Sequence, residues 1–439
     1  MLNKDLVVEI SKSKKEPEWM LQIRLRALEL FLKTPLPTWQ IPSLKDLDFD
    51  SISYFNPQNI RATSWEELPS DLKRVYKKMG LPEAEQRWLG GTIAQYQSEG
   101  IYAKLKEEWQ RKGVIFCSLD DAVKKYPELV RKHFANVVPV DDNKFTLLHY
   151  AVWSGGSFLY VPRGVEVNFP MQTYFFMKDK REGQFEHTII IAEEGASVQY
   201  IEGCSAPVYD ANSLHSAVVE VYAKDNGKVR YSTVQNWSKN VYNLNTKRAI
   251  IGKNALMEWV GGSLGAKVSM LYPSTVLAGE GARASHLTIT LASKGTVKEG
   301  GAKVIHLAPH TRSTIISKSI CIGDGHGVYR GLVKIAKGAY DSVSNARCDS
   351  LLIGRHAKSD TFPYSDIQET KWTSFTHEAS AGRISEKQLE YMMSRGIREQ
   401  DAMMLYVSGF ITPILKEIPL EYAIELNRFI QIEMEGSIG

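Results

Sequence analysis

The sequence predicts a mainly β protein with flanking α structure: a coil of stacked strands, a parallel β-helix or related solenoid, closed at both ends by helical segments. Three observations carry this. From about Asn143 to Thr376 the apolar pattern has period two, in short β-branched runs such as "HTIIIAEEGASVQYIEG" and "KRAIIGKNALMEWVGG" cut by Gly, Asn and Asp. The turns between these runs recur near Gly195, Gly227, Asn254, Gly281, His310 and Gly338, roughly 27 to 32 residues apart, a repeat signal of the kind stacked units produce. Before and after this region the period is helical instead. A β-sandwich suits the strand content but not the repeat.

The elements follow in order. "PEWMLQIRLRALELFLK" opens with Pro17 at a helix start and spaces Met20, Ile23, Ala27, Leu30 and Phe31 along one helical face. "TPLPTWQIP" cannot continue that helix and runs extended. "SWEELPSDLKRVYKKMG" carries a capping-box pattern, Ser64 with Glu67, and Pro69 bends or shortens it. "DDAVKKYPELVRKHF" is the last helical stretch before the strands. After Ser380 helices return: Ser385 with Gln388 ahead of "LEYMMSRGI", then "REQDAMMLYVSGF" and "PLEYAIELNRFIQIEME" around a proline-marked hinge. The expected organisation is a helical N-terminal domain over 1–110, a β-helix core over 111–378 and a helical C-terminal domain over 379–439. A solenoid has open ends, and these helices either cap them or present a docking surface.

At 439 residues, 43% hydrophobic and 24% charged, the chain has the composition of an ordinary soluble globular protein. The formal charge of +4 predicts no nucleic-acid partner. No basic stretch leads into an apolar one at the start, and no apolar run is long enough to span a membrane. The expectation is therefore a cytoplasmic protein. Cys117, Cys204, Cys321 and Cys348 lie far apart with no C-x-x-C pair, so reduced thiols are expected rather than disulfides or a closed zinc site.

Cys204 is the first candidate for chemistry. Lone strand cysteines are most often small buried hydrophobes. "EGCSAP", however, ends a strand among small residues that leave the sulfur accessible. Glu202 would raise the thiol pKa, so an activating cation must come from a neighbouring rung, where Lys247 and Arg248 are placed to stack. "STVQNW" adds Gln235, Asn236 and Trp237 at a strand end, a packed turn on the plainer reading. "RCDSLLIGRHAKSDTFPY" gathers Cys348, Asp349, His356, Asp360 and Asp366, and "FTHEAS" adds His377 and Glu378 where the strands stop. Thiolate, imidazole and carboxylate suit iron or zinc, though the spacing matches no closed metal motif and a solvated surface explains it too. The chain has neither a P-loop nor a G-x-G-x-x-G between strand and helix, so neither nucleotide motif is expected to act here.

Several stretches together, "SGGSFLYVPRGVEV", "GQFEHTIIIAEEGASVQYIEGCSAPV", "HSAVVEVYAKDNGKVRYSTVQNW", "STIISKSI", "YRGLVKI" and "CDSLLIG", closely resemble the SufB/SufD family of iron–sulfur cluster assembly proteins over nearly the whole chain. "STVQNW" and "EGCSAP" are similar to its SufB branch. The resemblance implies a right-handed parallel β-helix and a scaffold, not an enzyme, that works with the SufC ATPase and with SufD or a second SufB copy. SufC would dock on the last helices, in 379–439. A cysteine desulfurase system would supply persulfide sulfur to Cys204; Gln235, Trp237 and Lys247 would line the sulfur path. A transient iron–sulfur cluster would form at a dimer face at His377 and Glu378. The family pattern places a cysteine where Ala357 stands, leaving His356 and Cys348 as substitutes. Thr376 replaces a glutamate, and Phe176 and Lys178 replace polar residues near the mouth of the path. Some family complexes bind flavin, but no residue here marks such a site. Two other readings stay open: a SufD-like structural partner without a cluster of its own, and a carbohydrate-active β-helix enzyme, for which paired carboxylates at recurrent rung positions are missing.

Overall fold

The computed structural model describes residues 2–39, 44–57, 62–78, 85–87, 89–177, 181–206 and 211–417, with 423, 427, 428, 430 and 431 beyond them. Two long sheets face each other, and the chain alternates between them turn after turn, a parallel β-solenoid with helices at both ends. In the first sheet Lys228 pairs with Leu256, Leu256 with Arg283, Arg283 with Arg312, Arg312 with Val343 and Val343 with Ser374. These offsets of 27 to 31 residues are the repeat read from the sequence.

One corner explains why the repeat is so legible. Gly195, Asn226, Asn254, Gly281, His310 and Asp341 all have positive φ. Each donates its backbone N–H to a carbonyl one turn onward, at Asp225, Lys253, Glu280, Pro309, Tyr340 and Lys371. A left-handed residue recurring at each turn selects Gly and Asn, with two polar exceptions. The anticipated turn residues Gly195, Asn254, Gly281 and His310 hold these positions. Asn226 and Asp341 take the corners expected at Gly227 and Gly338.

The helical ends are more varied than anticipated. Helix Glu18–Lys33 forms with Pro17 as its cap and Met20, Ala27 and Phe31 buried; Leu28 is buried where Ile23 and Leu30 are only partly so. Ser64 and Ser385 precede helical segments, but neither side chain caps one. Thr63 instead donates its N–H to Glu67 at 2.6 Å. Asn143 does not begin the strands: it starts a reciprocal capping box with Thr146 on helix Lys144–Val152, and strands resume at Ser157. The region 1–110, expected to be helical, also contributes the hairpin Gly91–Tyr96 and Glu99–Leu105, which extends the first sheet by pairing with Met171–Phe176. Its first strand is buried on both faces and so lacks alternation. Helix Glu399–Leu415 lays Met403, Val407, Ile411 and Ile414 on the outer face of the first sheet, over Val234, Ile289 and Ile320. Most of the expected final helix, "PLEYAIELNRFIQIEME", lies outside the described residues, as does Lys178; its five described residues are helical.

The N-terminal cap is fastened to the barrel by Glu220. Its buried carboxylate accepts backbone N–H groups from Ala135, Asn136, Val137 and Val138 at 2.7–3.0 Å and meets His187 Nε2 at 3.1 Å. No described helix is long and apolar enough to cross a membrane.

Candidate functional site

Strand alternation sends Tyr200, Glu202 and Cys204 to the interior of the solenoid and Ile201 and Gly203 to its outer face. Cys204 is buried, with Phe175, Met177, Trp237 and Val241 packed about it, so it is less open than its small sequence neighbours suggest. Its polar side faces Glu202, whose Oε1 lies 3.8 Å from Sγ. Glu202 also takes hydrogen bonds from Lys247 Nζ at 2.8 Å, Thr233 Oγ1 at 3.2 Å, Gln235 Nε2 at 3.4 Å and the Tyr231 hydroxyl. Burial alone would raise this carboxyl; the Lys247 ammonium and the Tyr231 hydroxyl outweigh it and hold the pKa below its ordinary value. The Cys204 thiol goes the other way. Burial, then Glu202 and Glu186, push it well above its usual value, and Lys247 offsets only part of this because its charge is neutralised by Glu202. Arg248, the other expected cation, points away, pairing with Asp142 at 2.8 Å.

From Cys204 a polar stripe runs the length of the coil. In register along the first sheet stand Cys204, Gln235, Ser263, Thr290, Ser319 and Ser350. Beside it runs a second inward row: Glu202, Thr233, Gly261, Thr288, Ser317 and Cys348. The second sheet answers with His215, Asn243, Ser269, Lys298, Gly327 and Ser359. Asn243 donates to Gln235 at 2.6 Å, Ser263 to Ser269 at 3.4 Å and Ser359 to Ser350 at 2.7 Å. Five interstrand steps of ~4.8 Å carry the stripe roughly 24 Å. Midway, Lys247, Gln235, Gly261, Ser263 and Thr288 line a cavity of about 50 Å³.

The second row, which begins at Glu202, ends at a thiol that meets an imidazole. Cys348 Sγ lies 3.4 Å from His377 Nε2 and 3.6 Å from the Glu378 carbonyl oxygen. Burial raises the Cys348 thiol to about 11 and lowers the His377 pKa, which favours a neutral ring with a free lone pair toward sulfur. Glu378, as His377's strand neighbour, turns its side chain to the opposite face and is exposed. His356 sits exposed on the turn after strand Val343–Ile353; His377 pairs with Ala346, seven residues back along that strand, or ~23 Å. Ala357 is buried against Ala292 and Cys321. The cysteine brought to His377 is therefore Cys348. Thr376 is exposed and bonds Asn345, and Phe176 is buried among Tyr96, Tyr102 and Tyr174. Asp349, Asp360 and Asp366 are engaged by Arg347, His326 and Lys334.

Sequence reasoning passed over Glu186 and His215, which close around Cys204 with Asn243 behind them. Ligand-type atoms of Glu186, Cys204 and His215 all lie within 4.8 Å of one another, and all three residues are buried. Cys204 and His215 lie on two strands and Glu186 on the link before strand His187–Ala192, three separate sequence segments, so no local spacing marks them. "FEH" and "SLHS" sit in runs whose buried polar residues give the only hint.

Two family descriptions match this chain: "SufBD protein N-terminal region" over residues 9–173 and "SUF system FeS cluster assembly, SufBD core domain" over residues 175–410. Among curated relatives, an "Iron-sulfur cluster assembly SufBD family protein" of Staphylococcus epidermidis is 52% identical over 439 residues, covering 100% of this chain and 94% of the relative. Proteins of the same description from Staphylococcus haemolyticus and Staphylococcus aureus are each 51% identical with the same coverage.

Proposed function

This chain belongs to the SufB/SufD family, which takes part in iron–sulfur cluster assembly, and from that premise we propose that it is the SufB-type scaffold on which a nascent cluster is built. The observation that carries the reading is a pair of adjacent inward rows, polar but for Gly261, that lead from Cys204 and Glu202 at one end to Ser350 and Cys348 at the other, inside an otherwise apolar coil. A structural partner has no need of it, since Ser–Thr rows in a core give up apolar burial.

In this reading Cys204 receives sulfur. Glu202, held ionised beside Sγ, accepts the S–H hydrogen bond and relays the thiol proton to the departing donor sulfur as the new bond forms, since it is too weak a base to keep it. The thiolate attacks the outer sulfur of a donor's persulfide, the new S–S bond forms on Cys204, and the donor leaves as a thiol. Gln235, Thr233 and Lys247 offer hydrogen bonds to the anionic sulfur as it leaves for the next rungs. Trp237 walls the acceptor on its apolar side. At the far end Cys348 and His377 supply the sulfur and nitrogen donors that iron takes. The last strands, Lys358–Ile367 and Ser374–Arg383, have no strand beyond them among the described residues, and Tyr364 and Trp372 are exposed there. That open edge suits a second SufB-type or SufD subunit whose groups complete the cluster site. Leu405, Tyr391 and Met393 are exposed on the C-terminal helices, a surface suited to the SufC ATPase; ATP hydrolysis is assigned to that partner and the cytoplasm is the expected compartment.

The test is complementation of cells lacking their SufB, with the anaerobically purified complex assayed for iron and labile sulfide. Cys204→Ser and Cys348→Ser should each abolish maturation while leaving circular dichroism unchanged. Full maturation by either variant overturns the assignment of that thiol. Complementation of a SufD deletion instead establishes the structural-partner reading.

A further inference from the structure

The pocket at the start of the stripe is built for more than a thiol. Its hydrogen bonds have a direction. Glu202 accepts from Gln235 Nε2, Gln235 Oε1 accepts from Asn243 Nδ2, and Asn243 Oδ1 stands 2.7 Å from His215 Nδ1. Asn243 turns its amide nitrogen to Gln235 and so presents Oδ1, an acceptor only, to His215, which makes His215 Nδ1 the donor in the last bond. This fixes the ring and leaves Nε2 to face the Glu186 carboxylate at hydrogen-bond contact. A bare imidazole nitrogen and a carboxylate oxygen repel unless a proton or a metal ion lies between them, so this contact is held by one or the other. Glu186 is 0% exposed, and its Oε2 has no hydrogen-bond partner among the described residues. Lys247 is engaged by Glu202 and Tyr231, so His215 is the only ion-pair partner of Glu186 among those residues. Cys204 stands on the other side of the same gap.

We propose that Glu186, Cys204 and His215 form a buried three-ligand site for a divalent cation of the iron–zinc class, leaving a fourth position open. The inference deepens the sulfur-acceptor reading and rests on it for the use of that fourth position: sulfur arriving at Cys204 meets a metal already in place. Thiolate, imidazole and carboxylate form a donor set that such ions take in open sites. Ligand atoms around one ion stand ~3–4 Å apart, so closing the triad takes about 1 Å of side-chain movement. Asn243 is the outer partner that orients the ring. Binding displaces the proton shared by Glu186 and His215 and the Cys204 thiol proton, two protons out for one dication in. It also relieves what opposes the thiolate here, burial and two neighbouring carboxylates.

The probe is Co²⁺, titrated anaerobically into the full-length, chelator-stripped protein and read by thiolate-to-cobalt charge-transfer absorption. One equivalent should produce the band. Cys204→Ser should abolish it, and Glu186→Gln and His215→Ala should weaken cobalt binding at least ~100-fold, more than the loss of an outer-shell partner. Cys348→Ser should leave the band in place. Absence of a thiolate band in the wild-type protein, its survival at full affinity in Glu186→Gln, or its loss only in Cys348→Ser overturns the proposal. Glu186→Gln keeps the size of the side chain, so the test stands if a cysteine variant fails to fold. The metal-free protein is separately offered a small-molecule persulfide and weighed for one added sulfur on Cys204. A chain that takes the sulfur but no cobalt overturns the metal site and leaves the acceptor reading standing. One that binds cobalt at the triad but takes no sulfur supports the site and overturns the acceptor reading.

Discussion

Replacing Lys247 by Met tests the electrostatics on which the acceptor pocket depends. Lys247 and Glu202 are 6% and 0% exposed, 2.8 Å apart, and share Tyr231. Removing the ammonium leaves an ionised carboxylate inside the coil with hydroxyl and amide donors but no counter-charge. Breaking a buried pair on one side costs ~3–5 kcal/mol. The unfolding of a long solenoid is not two-state, so the loss is best read locally, as amide hydrogen exchange in strands Ser197–Ser205, Lys228–Trp237 and Val241–Ile251. At ~1.4 kcal/mol per decade, protection there should fall by roughly 10²- to 4 × 10³-fold. The double variant Glu202→Gln/Lys247→Met removes both charges and should recover most of it. If Lys247→Met leaves exchange within about threefold of wild type, or the double variant is no better than the single, Lys247 is not the group that holds Glu202 ionised, and the proton-relay role of Glu202 falls with it.

Three further outcomes are expected. Gly261 lines the midway cavity, and a Cβ there meets only the Thr233 and Thr288 methyls at 3.8 Å; Gly261→Val should therefore fold and still accept persulfide on Cys204, yet fail to deliver sulfur to Cys348, as read by peptide mass mapping. Burial lowers the His286 pKa to about 3 and that of His306 to about 4. Both are lower folded than unfolded, so their neutral forms cost nothing above pH ~6.5 and destabilise as pH falls below it. By pH 4.5 each should remove roughly 2–3 kcal/mol, and the loss of amide-exchange protection in strand Arg283–Ala292 from pH 7 to 4.5, corrected for intrinsic exchange, should be smaller in His286→Gln. Glu220→Ala strips the acceptor from four backbone N–H groups at residues 135–138; with bonds to a charged group worth ~1.5–3 kcal/mol each, that segment should lose at least ~100-fold in exchange protection while the later rungs, Arg283 to Ile367, keep theirs.

How far the sequence reaches differs between the fold and the site. The repeat was legible because each turn obeys the same local rule, a left-handed corner residue followed by alternation, and Gly195, Asn254 and Gly281 announce it without any partner in view. The hairpin at 91–105 was not legible: the strand that ties it to the sheet comes from 80 positions away, and a strand buried on both faces carries no period. Capping residues misled at Ser64 and Ser385, where the pattern is present but the side-chain bond is not made. At the site, Cys204, Gln235, Lys247 and Trp237 were picked out from their local sequence and given roles by resemblance, and they meet in one pocket. Glu186, His215 and Asn243 were not picked out, because residues that stand one above another in a solenoid are a full turn apart in sequence.

The sequence by itself determined the coil and its period, since these follow from backbone preferences and side-chain alternation that each segment expresses locally, and the resemblance of whole segments pointed to the family. Only the tertiary structure decided which polar residues share a register row, that Lys247 serves Glu202 before it serves Cys204, and that His377 meets Cys348 while Glu378 faces away. Those outcomes depend on register and on a one-residue change of face, and both are set by the neighbouring rungs.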